Sequence, residues 1–161
     1  MLRSRGFTLV ELLVTLVVLA ILTTIAIPAF KSWVMTSRTL TVTEELNTAI
    51  QLARSEALKR RKNVVICRAN AALTDCENGV DWSNGWLIRQ VSGNTIRVWN
   101  APTGSTVSGP AAGITFGSNG LGNGAGNFEI KNGGCADSKK RTIAVSTTGN
   151  TTASQGECTP S

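Results

Sequence analysis

The stretch that decides the fold is MLRSRGFTLVELLVTLVVLAIL, residues 1–22. From Phe7 to Ile27 the chain runs for 21 residues with Glu11 as its only charge. As a helix this run spans about 31 Å, the thickness of one bilayer core. Arg3 and Arg5 precede it. Cations on that flank predict a cytoplasmic N-terminus, with everything after Ala29 across the membrane. A carboxylate among lipid tails is costly, so Glu11 needs a reason. A secretory signal accounts for the basic start, but its apolar region is shorter and it carries no acid. A plain membrane anchor accounts for the length but not for Glu11, nor for Gly6-Phe7 before it.

The same helix is expected to continue beyond the membrane. Val42, Leu46, Ala49/Ile50, Ala53 and Ala57/Leu58 recur at steps of three and four, the signature of one apolar stripe. Glu44, Glu45, Gln51 and Lys59 fall off it. No glycine or proline interrupts residues 31–62. The spacing predicts a helix from Phe7 to about Lys62, bent or weakened near Pro28, which lacks an amide proton and crowds the preceding turn.

After Asn63 the pattern changes to short β-rich runs. Val64–Cys67 is the first. Gly85–Gln90 and Thr95–Trp99 flank Ser92-Gly93-Asn94 and read as a hairpin. Ile114–Phe116 and Phe128–Lys131 flank a glycine-rich connection, Gly117–Gly126, and Arg141–Ser146 is the last expected strand. The segment from Thr147 reads as a Thr/Gly/Ser-rich tail. The expected class is α+β: a long N-terminal helix, half transmembrane and half amphipathic, packed on an antiparallel β-sheet head.

The charge of +6 is unevenly placed. Residues 63–161 hold seven Lys/Arg and six acids, so the surplus sits at Arg3, Arg5 and the run Lys59-Arg60-Arg61-Lys62. Cations at the end of a helix oppose its dipole. The four cysteines, Cys67, Cys76, Cys135 and Cys158, all follow residue 66. An even count in a Gly/Ser/Thr-rich region points to disulfides and an oxidising compartment. Three pairings are open, and joining neighbours in sequence favours Cys67–Cys76 with Cys135–Cys158.

The chain has no histidine, which excludes a His-based catalytic triad and the common zinc sites. The glycine-rich connection lacks the Gly-Lys-Ser/Thr of a phosphate-binding loop, and no helix is expected after it. Trp82, Trp86 and Trp99 read as core or hairpin packing. No cofactor or metal is expected, and the chain reads as a structural or interaction protein rather than an enzyme.

The residues Gly6-Phe7-Thr8-Leu9-Val10-Glu11 resemble the class III signal of type IV pilins and pseudopilins, and Pro28 matches a proline common in that family. The resemblance implies a leader, residues 1–6, that a prepilin peptidase removes after Gly6. It implies N-methylation of Phe7, a transmembrane and filament-core helix over 7–29, and a periplasmic or pilus head over 30–161. That head would consist of an amphipathic helix, 30–62, and a β-rich region, 63–161. Glu11 would be the fifth residue of the mature chain and would meet the α-amino cation of Phe7, on a neighbouring subunit in the filament.

Further points resemble the FimU/FimT-type minor pilins and the H-type minor pseudopilin of type II secretion: Glu45–Ala57, Asp81-Trp-Ser-Asn-Gly-Trp86 and Ile114-Thr-Phe-Gly-Ser-Asn-Gly120. They imply a subunit that primes pilus assembly near the tip. Its partners would be other minor pilins, the major pilin and an inner-membrane assembly platform, with membrane lipid around the helix before assembly. The secretion pseudopilin is an alternative. DNA uptake is another, since FimT-type members bind DNA through a C-terminal Gly-Arg-x-Arg. Here Gly149-Asn150-Thr151-Thr152 stands in that place without the arginines. Lys139, Lys140 and Arg141 remain as candidate DNA contacts, and DNA is not the favoured partner.

Overall fold

The computed structural model describes residues 8–100, 102–132 and 139–158. Helix α1 spans Leu9–Arg60 and passes through Pro28. The chain divides into two compact units at the Val34/Met35 boundary.

In the first unit the helix has a built N-terminus. Thr8 accepts the amide of Glu11 on its hydroxyl at 3.2 Å. Thr8 is thus the cap and Glu11 stands three residues on, the spacing of a capping box. No described residue of this unit is buried. Leu9, Val10, Leu12, Leu13, Leu16, Leu22 and Ile25 are each more than half exposed.

The second unit has a core of its own. Val42, Leu46, Ala49, Ile50, Ala53 and Ala57 of α1 are buried at 6% exposure or less. Ala49, Ala53 and Ala57 recur every four residues, and their small side chains let the helix lie close against its neighbours. Two members of the face differ from the expected stripe. Leu58 is 47% exposed, while Glu56 is buried beneath Arg60 and Lys59, both of which pair with it. The helix ends two residues earlier than expected. Arg61 takes a left-handed conformation, φ 52°, and the Lys62 amide donates to the Ala57 carbonyl at 3.3 Å. This closes the helix in the manner of a Schellman cap.

Among the described residues eight strands follow: β1 (Val64–Arg68), β2 (Gly85–Gln90), β3 (Thr95–Asn100), β4 (Ser105–Ser108), β5 (Ile114–Phe116), β6 (Gly126–Asn132), β7 (Lys139–Val145) and β8 (Thr151–Glu157). They form two four-stranded sheets, ordered β3-β2-β1-β5 and β4-β6-β7-β8. All pairings are antiparallel. The architecture is the expected long helix on antiparallel strands, with three differences. There are two sheets rather than one. The polar run Ser105–Ser108 is a strand, held opposite Glu129–Asn132. The tail from Thr147 forms β8, paired along its length with β7.

Period-two alternation sets the layers. Val64, Ile66, Trp86 and Ile88 face the main core together with Phe116, Phe128, Ile130, Ile143 and Val145. Cys67, Ala69 and Leu87 face the other side of the first sheet and form a small second core with Leu73 and Cys76. Trp82 and Trp86 are fully buried. Trp82 meets Phe128 edge-on at 4.9 Å between centroids, and Trp86 stacks with half-buried Trp99 at 6.5 Å. Trp82, Trp86 and Trp99 are therefore packing residues. Gly113 shows how tight the layer is: with φ 72°, a Cβ there would stand 2.3 Å from the Ile66 carbonyl oxygen.

Candidate functional site

The surface that asks for a partner is the helix from Leu9 to Ile27. Its mean hydropathy reaches 2.6 over 18 residues, none of that stretch is buried, and it is long enough to cross a membrane. The polar groups within it are satisfied locally. Thr15, Thr23 and Thr24 each donate a hydroxyl to the carbonyl three residues back, at 2.7 to 2.9 Å. That is what lets threonine sit where no water reaches. Pro28 lies inside the helix and has no amide to offer the Thr24 carbonyl.

Glu11 has a role the spacing alone could have shown. The sequence Thr8-Leu-Val-Glu11 is Thr-x-x-Glu, and the carboxylate stands in the first helical turn, where the dipole favours it. Gly6 and Phe7, the expected cleavage and methylation residues, lie outside the described residues.

In the head, Cys67 and Cys76 are joined by a disulfide, Cα atoms 5.6 Å apart. The loop between them is tied down at several points. Asn70 accepts the amide of Thr74 at 2.9 Å. Arg89 pairs with Asp75, and Arg68 pairs with Glu77 at 3.1 Å. The Arg89 guanidinium and then the Cys76 amide hold the Asp75 carboxyl below its ordinary value. Cys158 is disulfide-bonded and buried. Cys135, its expected partner, lies outside the described residues.

Lys139, Lys140 and Arg141 are split by the pleat of β7. Arg141 and Lys139 fall on the side of Ile143 and line a narrow groove with Thr36, Thr39 and Gln155. Lys140 faces the other way and pairs with Glu129 at 2.8 Å. Hydrogen bonds from Lys131 and then Lys140 hold the Glu129 carboxyl below its ordinary range. The three cations do not converge on one phosphate-binding surface. Gly149–Thr152 is likewise engaged with the helix. Arg54 donates to the Gly120 carbonyl at 3.2 Å and to the Asn150 amide oxygen at 3.4 Å, and Gln51 donates to the Thr151 hydroxyl at 3.0 Å.

A capped, uncovered apolar helix leading into a helix-on-sheets head defines a pilin-like subunit. The profile described as "Type II transport protein GspH" matches residues 42–149, and that of the "Prokaryotic N-terminal methylation motif" matches residues 1–27. The chain belongs to the GspH family of minor pilins and pseudopilins, whose members are structural subunits of type IV pili or type II secretion systems.

Two crystal forms of the type IV minor pilin FimU from Pseudomonas aeruginosa strain PAO1 are similar to it. One has 26% identity over 74% of this chain and 91% of that chain, TM-score 0.54. The other has 25% identity over 74% and 87%, TM-score 0.55. The minor pseudopilin EpsH from the Type 2 Secretion System of Vibrio cholerae shares the fold at 11% identity over 73% and 96%, TM-score 0.53. No curated protein sequence matches the chain.

Proposed function

We propose that this chain is a minor pilin of a type IV pilus that helps to prime filament assembly near the tip. The observation that carries the reading is the uncovered apolar helix, Leu9–Ile27, joined to a head similar to that of FimU. In this reading residues 1–6 are the leader, prepilin peptidase cuts after Gly6, and Phe7 is methylated. Residues 7–29 lie first in the inner membrane and then in the filament core, with the head, residues 30–161, in the periplasm and later on the pilus. Partners are the other minor pilins, the major pilin and the inner-membrane platform.

The physics of assembly follows from the helix. Lipid tails are as apolar as leucine, so moving Leu and Val faces from bilayer to filament core gains little through the hydrophobic effect. The polar groups make the difference. An acid within a membrane helix costs up to about 2.5–3.5 kcal/mol. Pairing Glu11 with a neighbour's α-amino cation relieves that cost and fixes axial register. No covalent chemistry is required.

The test is a count of surface pili in a strain lacking this gene, with a complemented control. Pili should drop sharply and return on complementation. Normal numbers without the gene would overturn the assembly role. The family name and the EpsH fold support a second reading, an H-type pseudopilin of type II secretion. In that case piliation would persist and secretion of exoproteins would fail.

A further inference from the structure

We propose that Phe30, Lys31 and Trp33 form a headgroup anchor that fixes the depth of the helix in the bilayer before assembly; this rests on the membrane reading above. The partner is the phospholipid headgroup layer at the C-terminal end of the apolar run.

Three observations converge. First, Phe30 and Trp33 are 65% and 66% exposed, although the head buries Trp82 and Trp86 completely. They stand three apart on one helix face with ring centroids 6.1 Å apart, an exposed aromatic ledge. Tryptophan, an apolar ring with a polar N–H, gathers where the bilayer meets water, and Phe30 adds hydrocarbon surface beside Trp33. Second, Lys31 lies between them and is exposed. Its apolar stem can follow the helix while its ammonium reaches phosphate. It is the first Lys or Arg after Arg5.

Third, the ledge is continuous with the apolar surface. Ile27, one turn earlier, is 54% exposed, and the head unit begins at Met35, two residues beyond Trp33. From the Thr8 cap to Phe30 the helix rises about 33 Å, against a hydrocarbon core of about 30 Å.

The ledge therefore marks one polar boundary and the Thr8–Glu11 cap marks the other. Extraction of the subunit into a filament must pull Phe30 and Trp33 out of the headgroup layer, which makes this ledge the first lipid contact of the helix to be released.

The test uses the full chain reconstituted into phosphatidylcholine/phosphatidylglycerol vesicles. Nitroxide labels are placed either near the headgroup or near the chain end. Emission lost between the wild type and Trp33→Phe belongs to Trp33, and the remaining emission of Trp82, Trp86 and Trp99 reports that the head is folded. That lost component should be quenched about twofold or more strongly by the headgroup label than by the chain-end label, the depth expected of an interfacial tryptophan. Stronger quenching by the chain-end label overturns the anchor, as does free access to aqueous iodide. Flotation separates the two readings. A chain that does not float with vesicles sinks the membrane reading and the anchor together. A floating chain with Trp33 at the wrong depth sinks the anchor alone.

Discussion

The two halves of α1 solve opposite problems with the same backbone. From Leu9 to Val34 the helix has apolar residues on all sides and nothing buried. From Met35 to Arg60 it carries a stripe, and that stripe is covered by its own chain. The first half is completed by lipid or by other subunits; the second is completed within the head. Substitutions in one half should therefore change assembly and leave head stability alone, while substitutions in the other should do the reverse.

The largest effect is expected at Glu11. Glu11→Ala should leave processing after Gly6 and head stability unchanged, yet reduce incorporation into filaments roughly tenfold or more, on the scale of one lost buried ion pair. Immunoblots of sheared pili measure this, and normal incorporation would break the comparison. Glu11→Gln sharpens it. Glutamine preserves the capping box, so a loss equal to that of the alanine variant assigns the defect to charge. A rescue would assign it to the cap.

In the head, Leu46→Ala removes a fully buried side chain and should cost about 2–5 kcal/mol. Leu16→Ala, at 57% exposure, should change head stability by less than about 0.5 kcal/mol. Urea melts followed by tryptophan emission distinguish them, and similar costs for both would show that the halves are not independent. Next in size is the paired change Cys67→Ser with Cys76→Ser. The cysteines are nine residues apart, so the chain-entropy argument gives a loss of about 2–3 kcal/mol.

The smallest effect is electrostatic. Glu129 has its folded-state carboxyl lowered by Lys131 and Lys140. Its contribution is thus fully present above the ordinary carboxylate range and is lost as pH falls through the lowered folded value. Because the site is partly open to solvent, the effect should be under about 1 kcal/mol. Glu129→Gln should lose it at neutral pH and match the wild type more closely below about pH 4. An unchanged gap across that range would remove the ion pair from the account.

Much of this was legible in the sequence because periodicity reports burial. The stripe from Val42 to Ala57, the β2–β3 hairpin and the runs at Ile114, Phe128 and Ile143 all carry large apolar side chains at regular spacing. The two unanticipated strands do not. Ser105–Ser108 has Val107 as its only sizeable apolar residue, and Thr151–Glu157 has none. Both lie at sheet edges, where the pairing strand dictates the conformation rather than alternation. Glu56 was illegible for a related reason: its burial depends on cations folding over it. The Thr8–Glu11 cap, by contrast, was present as Thr-x-x-Glu and eclipsed by the question of the membrane.

The order in which the strands fill the two sheets has a consequence in time. The chain visits the first sheet for β1, β2 and β3, crosses for β4, returns for β5 and crosses again for β6, β7 and β8. The helix stripe is made first, yet Ile143 and Val145, which share its core, emerge some eighty to a hundred residues later. No fragment ending before β7 can close that core, so the nascent head must wait with its helix uncovered. Pairings this distant fold slowly, and a chain tethered at a membrane during that interval is kept from meeting its own copies in solution.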